Sequence, residues 1–256
     1  MKPYYEEPGV VIYNCDCREI LPSVFFDVLV TDPPYGILEP GDLNPRVRDD
    51  RGGSHGLVRD SYASYLDTYD NFVNVIGPRL RAAISQSKRA AVFTGPHITE
   101  QAKPTAIGGV YCPAGAGRHQ WGFKTFLPVL FYGSAPNLNL GARPNTITSS
   151  DTAGRNGHPC PKPLSWMKWL VALTSLESEI VCDPFAGNGT TLEACKALQR
   201  RVIGIEIEER YYEIAAKRLS QSVLDFGLRE STEPQSTPAA LDTEQSASNS
   251  TGQTQK

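Results

Sequence analysis

The stretch Phe26-Asp27-Val28-Leu29-Val30-Thr31 is almost continuously apolar, the pattern of a strand covered on both faces. Similar short runs predict strands over Val10–Tyr13, Ala90–Thr94, Gly108–Tyr111, Phe126–Tyr132, Glu179–Asp183 and Arg201–Glu206. Between them the apolar spacing lengthens to that of helices. A short helix is expected near Arg18–Leu21, a longer one over 61–86 with a break near Gly77-Pro78, and a short one near 97–102. Further helices are expected over Leu164–Thr174, Thr190–Leu198 and Glu209–Phe226. Residues 36–60 read as a long loop and 133–157 as polar and turn-rich, and no repeat is visible. Strands alternating with helices predict an α/β fold, a doubly wound parallel sheet with helices on both faces.

Composition trims this picture. From Leu228 onward Ser, Thr, Gln, Ala and Pro dominate, so 228–256 is expected to be a disordered tail behind a single folded domain within 1–227. The net charge of −3 argues against a strong non-specific polyanion binder, yet a local basic face would suffice for an enzyme acting on one. No apolar run reaches the roughly 20 residues of a membrane helix. The first residues lack the order of a signal peptide, so a cytoplasmic location, in a prokaryotic or phage-infected cell, is expected. None of the six cysteines forms a C-x-x-C pair, which gives no support to a metal site.

Two segments carry chemistry. Asp183-Pro184-Phe185-Ala186-Gly187-Asn188-Gly189-Thr190-Thr191 lies between a predicted strand and a predicted helix. Its glycines permit a tight turn and close approach to a ligand, and the next strand ends in Glu206, an acidic residue placed to accept from a ribose hydroxyl pair. A nucleoside-type cofactor follows from that context, and the absence of a lysine after Gly189 argues against a P-loop. The second segment is Asp32-Pro33-Pro34-Tyr35, where two prolines end the sheet hydrogen bonding. A carboxylate, a freed carbonyl and an aromatic ring together can accept two hydrogen bonds from an amine and stack on a flat ring.

These segments, together with Tyr13-Asn14-Cys15-Asp16-Cys17, His158-Pro159-Cys160-Pro161-Lys162-Pro163 and Gly204-Ile205-Glu206, resemble the amino-group DNA methyltransferases, in the permuted order that puts the D-P-P-Y segment before the cofactor glycine motif. The resemblance implies S-adenosyl-L-methionine as cofactor and DNA as substrate. It implies Asp32, Pro33, Pro34 and Tyr35 as the catalytic set, with Asp32 also facing the cofactor. Phe185, Gly187 and Gly189, flanked by Asp183 and Thr190, would line the methionine part, and Glu206 would bind the ribose. Asp16 beside Cys17 matches the position that contacts the cofactor's adenine ring, although Asp16 also suits a helix cap. Lys162 with His158 matches the segment bordering the methionyl end, where Cys160 and Pro161 replace the usual Thr and Gln.

The same resemblance implies transfer to the N6 amine of adenine, with the base flipped out of the helix. Cytosine N4 stays open, as do an RNA or protein amide substrate and a catalytically silent nucleic-acid-binding subunit. Asp32 favours adenine over cytosine, for which serine is more typical, and over the amide substrates, for which asparagine is. Loop 36–60 is expected to close on the extruded nucleotide through Arg46, Arg48, Arg51 and Arg59. Residues 112–157 are the candidate recognition insertion, short enough to imply a short or relaxed target sequence or a partner subunit. A monomer or homodimer is expected.

Overall fold

The computed structural model describes residues 1–37, 67–97, 102–119, 121–136, 143–153 and 161–225, without the side chains of 118–119 and 222–225. Most of loop 36–60, the start of the 61–86 helix, most of the 97–102 helix, His158, Cys160 and the tail lie outside the described residues. Strands β1 (Tyr5–Glu7), β2 (Val10–Asn14), β3 (Val28–Thr31), β4 (Arg89–Phe93), β5 (Ala106–Tyr111), β8 (Phe126–Gly133), β9 (Thr146–Thr148), β10 (Ile180–Asp183) and β11 (Arg201–Glu206) form one sheet, and β6 (Arg118–His119) and β7 (Gly122–Phe123) form a hairpin. The sheet order is β1-β2-β11-β10-β3-β4-β8-β5-β9.

Alternation along the central strands puts successive side chains on opposite faces. Val28, Val30, Ala91 and Phe93 pack with α4 (Leu164–Thr174), α5 (Thr190–Ala197) and α6 (Glu209–Asp225), through Met167, Leu170, Leu192 and Ala215. Leu29, Ala90 and Val92 face the other way, onto α1 (Cys17–Ile20) and α3 (Gly77–Gln86), through Ile20, Leu80 and Ala83. Helices therefore cover both faces, as the sequence predicts.

The sheet is not purely parallel. From β2 to β4 all neighbours run parallel, but β8 runs antiparallel to β4 and to β5, and β1 antiparallel to β2. Apolar runs encode burial and not direction, which is why the sequence misses this. β1 is held by Lys196 Nζ on Glu7 at 2.6 Å, beside a ring contact between Tyr4 and Tyr212. Strands β8 and β9 belong to the main sheet, so among the described residues of 112–157 the part that leaves it as a hairpin is 112–119 with 121–125.

The expected break at Gly77-Pro78 does not occur. The chain passes from α2 (Tyr69–Asn71) through a wide turn at Phe72–Ile76 into α3, and the Gly77 N–H reaches back to the Phe72 carbonyl. Pro78 then sits in the first turn of α3, where its missing N–H costs nothing.

The order reverses between β10 and β3. The chain runs outward from β10 through α5 to β11 on one side, whereas β3 leads to β4 on the other. Open α/β sheets bind ligands at such a point, beyond the carboxyl ends of the strands.

Candidate active site

Both motif segments leave the sheet at that reversal. β10 and β3 are hydrogen-bonded neighbours running the same way, so Asp183 and Asp32 emerge side by side. Asp183 is fully buried and accepts from Thr31 Oγ1 at 2.6 Å, Thr191 Oγ1 at 2.5 Å and the Phe185 N–H at 3.1 Å. It thus braces the glycine turn against the strand that carries Asp32. Burial pushes its carboxyl up to about 6, although these three donors oppose the rise.

The turn that follows places Gly187 and Gly189 at positive φ, +51° and +81°. A Cβ at Gly189 would also lie 2.7 Å from the Ala215 Cβ on α6. Gly189→Ala therefore combines left-handed strain with overpacking, and thermal denaturation should show a loss of about 2–4 kcal/mol. α5 starts directly behind this turn. Thr190 at its first position donates to Asn188 Oδ1 at 3.0 Å, and Arg218 on α6 donates to the Asn188 carbonyl at 3.0 Å. Phe185 is half-buried at the turn's start.

Glu206 ends β11 next to this turn. Its Oε2 accepts from the Gly187 N–H at 2.7 Å and its Oε1 from the Glu208 N–H at 2.8 Å. Burial pushes its carboxyl up to about 7, against those two hydrogen bonds. Each oxygen has a second lone pair to offer. A buried carboxylate already oriented by two backbone donors fits a ribose diol, and the unpartnered, buried Asn188 Nδ2 adds an unused donor in the same turn. These residues fit a sulfonium nucleoside.

β2 ends at Asn14, the register partner of Glu206, and Cys15, Asp16 and Cys17 follow directly. Asp16 caps α1, accepting from the Arg18 N–H at 3.0 Å, and pairs with Arg79 of α3 at 2.9 Å. The cap possibility read in the sequence is thus realised. Cys17 is buried, and burial, with Asp16 nearby, pushes its thiol up to about 12, so it is no nucleophile.

On the other side of the reversal, Asp32 Oδ1 accepts from the Tyr35 hydroxyl and Oδ2 from Lys162 Nζ. The Lys162 side chain is 5% exposed and that of Asp32 21%. Lys162 also lies 5.3 Å from the Phe93 ring centroid and 5.5 Å from that of Tyr35. Lys162, which the resemblance puts in the segment bordering the cofactor's methionyl end, holds the carboxylate of the D-P-P-Y segment with its ammonium. Lys162→Met keeps an apolar stem and removes this clamp. Steady-state assays should show kcat lower by about 10²-fold, the scale of losing one preorganised charge, with Lys162→Arg recovering part of it.

Three supports of the segment were not legible beforehand. Asp67, buried, accepts from the Gly36 N–H at 2.5 Å and also receives the N–H groups of Tyr35 and Ile37. His97 Nε2 lies 3.1 Å from the Gly36 carbonyl. Gly95 lets the Tyr35 ring lie on bare backbone, since a Cβ there would sit 2.8 Å from the Tyr35 Cβ. Each comes from a distant part of the chain, and no local spacing marks it.

A glycine turn with a buried carboxylate acceptor, beside a carboxylate and di-proline exit, fits a nucleoside-cofactor enzyme of the doubly wound class. Comparison with known proteins narrows this. A family model of the N6/N4 type, described as DNA methylase, matches residues 140–217. The type II methyltransferase M2.DpnII of Streptococcus pneumoniae is 42% identical over 265 residues, covering 85% of this chain and 92% of that one. Several other matches are local, this chain covering 20–33% of the relative's length. Among solved structures, the cytosine-N4-specific PvuII DNA methyltransferase aligns with a TM-score of 0.59 at 14% identity, over 88% of this chain and 93% of that one. An M1.HpyAVI–SAM complex aligns at 0.51 with 20% identity, over 82% and 99%. The chain belongs to the amino-group DNA methyltransferases, enzymes that take their methyl group from S-adenosylmethionine.

Proposed function

We propose that the protein methylates the N6 amine of adenine in DNA, on a base flipped out of the helix. The observation that carries the reading is Asp32, a carboxylate at the strand exit that, among the described residues, keeps an acceptor site on each oxygen after Tyr35 and Lys162 are served. When bound, S-adenosylmethionine supplies an electrophilic methyl group on a sulfonium. The chain's own residues do the rest. Asp32 and the Pro33 carbonyl accept the two amine hydrogens, drawing the nitrogen lone pair out of conjugation. The carboxylate's share is charge-assisted and the stronger. Lys162 and the Tyr35 hydroxyl fix the carboxylate, and the Tyr35 ring, seated on Gly95, stacks on the base. Alignment of this kind can supply roughly 7–11 kcal/mol of the barrier.

Glu206 and the turn 185–189 are the proposed cofactor cradle, with Asp16, Cys17, Asp183 and Thr190 shaping it. His158 belongs to the same proposal but lies outside the described residues, as do the loop arginines. Among the described residues no helix is long and apolar enough to cross a membrane. The bacterial relative supports a cytoplasmic setting, and its designation as a type II methyltransferase supports a restriction–modification role. A monomer or homodimer suffices for this chemistry.

Cytosine N4 is the second reading, favoured by the fold shared with the PvuII enzyme. Enzymatic digestion of DNA treated with the protein and S-adenosylmethionine, followed by mass spectrometry of the nucleosides, separates them. N6-methyl-2′-deoxyadenosine is the expected product. N4-methyl-2′-deoxycytidine alone would transfer the assignment to cytosine.

A further inference from the structure

We propose that the hairpin 112–125 is a DNA-stacking arm, which lays Trp121, with Phe123 beside it, on the face of a nucleobase near the target. The proposal rests on the DNA methyltransferase reading and deepens it.

The sheet aims the arm. β5 runs the same way as β3 and β4, and β8 runs back, so the pair Tyr111↔Phe126 closes their ladder at the end of the sheet from which Asp32 emerges. Pairing continues past that rim. The Cys112 N–H donates to the Thr125 carbonyl at 2.7 Å and the Ala116 N–H to the Lys124 carbonyl at 2.6 Å, before β6 and β7 close the hairpin. β8 stands two strands from β3 and β5 three. At about 4.8 Å per strand the root of the arm lies roughly 10–14 Å to the side of the Asp32 exit. That is about three or four base steps along a strand.

Its surface chemistry suits nucleic acid. Trp121 is 89% exposed and Phe123 68%, while Trp166 is buried and Trp169 half-buried. Phe123 rests against Gly115, whose Cβ position is 3.2 Å from the Phe123 Cβ, so the aromatic side of the hairpin has a fixed base. Charge is the independent observation. No Asp or Glu occurs between Glu100 and Asp151, while Lys103, Arg118, Lys124 and Arg143 fall in that stretch. The stretch contributes +4 to a chain whose net charge is −3, leaving −7 for the remainder. The exposed aromatic rings thus sit in a stretch whose few charged residues are all basic, in a protein whose remainder is net acidic. Aromatic rings that stack on bases among cations that meet phosphates are the common means of holding unstacked DNA.

The test uses the full chain and amplified, unmethylated DNA of mixed sequence, as duplex and after heat denaturation. Stacking should quench the tryptophan emission of the wild type, and Trp121→Phe should keep the affinity and lose most of the quench. A quench with duplex places the ring within the base stack, and one confined to denatured strands places it on an unpaired base; either upholds the arm. The double variant Trp121→Ala, Phe123→Ala should lose roughly ten- to a hundredfold in DNA affinity, the effect of one stacked base, with unchanged melting temperature and cofactor affinity. Undiminished DNA affinity in the double variant overturns the proposal, as does an unquenched wild type. So does a double variant whose only defect is a lost dimer on size exclusion, which would make the arm a subunit contact. A wild type that is quenched but transfers no methyl group to DNA counts against the enzymatic reading and leaves the arm standing.

Discussion

Asp32→Ala is expected to lower methyl transfer by about 10³-fold, the upper end for removing one preorganised group, because Asp32 both accepts from the amine and fixes its direction. The same change takes the Asp32 carboxylate from the buried Lys162 ammonium, whose side chain is 5% exposed. Breaking a buried pair costs about 3–5 kcal/mol, and the partial exposure of Asp32 puts this one toward the low end. The variant should therefore melt earlier as well as turn over more slowly. Adding Lys162→Met separates the two effects. The double variant should regain the melting temperature, since both charges of the pair are gone, and stay inactive. Recovery of activity together with stability would show that Asp32 serves only the fold.

The second large effect concerns Glu206. Hydrogen bonds to a charged acceptor are worth about 1.5–3 kcal/mol each, so losing two to a ribose should weaken cofactor binding by at least ~10²-fold. Titration calorimetry of Glu206→Ala with S-adenosylhomocysteine, without DNA, reads this directly. The carboxyls of Glu206 and Asp183 also give the free protein a pH signature. Both are raised in the folded state, to about 7 and about 6, because burial disfavours their charge. Between about pH 4 and pH 7 the folded chain holds protons that the unfolded chain has released, so the contribution of these groups to stability falls as pH rises through that window. Cofactor affinity should move oppositely, rising toward pH 8 as Glu206 becomes the charged acceptor. Glu206→Gln should flatten the affinity slope and reduce the stability slope to the part that Asp183 carries, whatever it does to their absolute level. A Glu206→Gln variant with the wild-type slopes would place the titrating group elsewhere.

Much of this was legible because it is local. Leu164–Thr174 and Arg201–Glu206 coincide with their predicted bounds, and β10 and β2 differ by one residue at one end. Central strands buried on both faces leave strong apolar runs, and proline and glycine punctuate them. The edge strands do not. β1 is Tyr-Glu-Glu and β9 is Thr-Ile-Thr, half-exposed and too short to show a period. The site divides the same way. Asp32, Gly187, Gly189 and Glu206 are marked by their own neighbours in sequence. Asp67, His97 and Gly95 support the D-P-P-Y segment from across tertiary contacts, which no pattern in one stretch reveals. Lys162 was singled out by its motif, but its partner Asp32 is 130 residues away in sequence and is reached only by a tertiary contact.

One measurement bears most directly on the shared cleft: a crystal structure of the protein with S-adenosylmethionine bound. The expected result has the ribose hydroxyls on Glu206, the methionyl part along 185–189, and the methyl group facing the Asp32 carboxylate. A cofactor seated away from that reversal in strand order, or with its methyl group turned from Asp32, contradicts it.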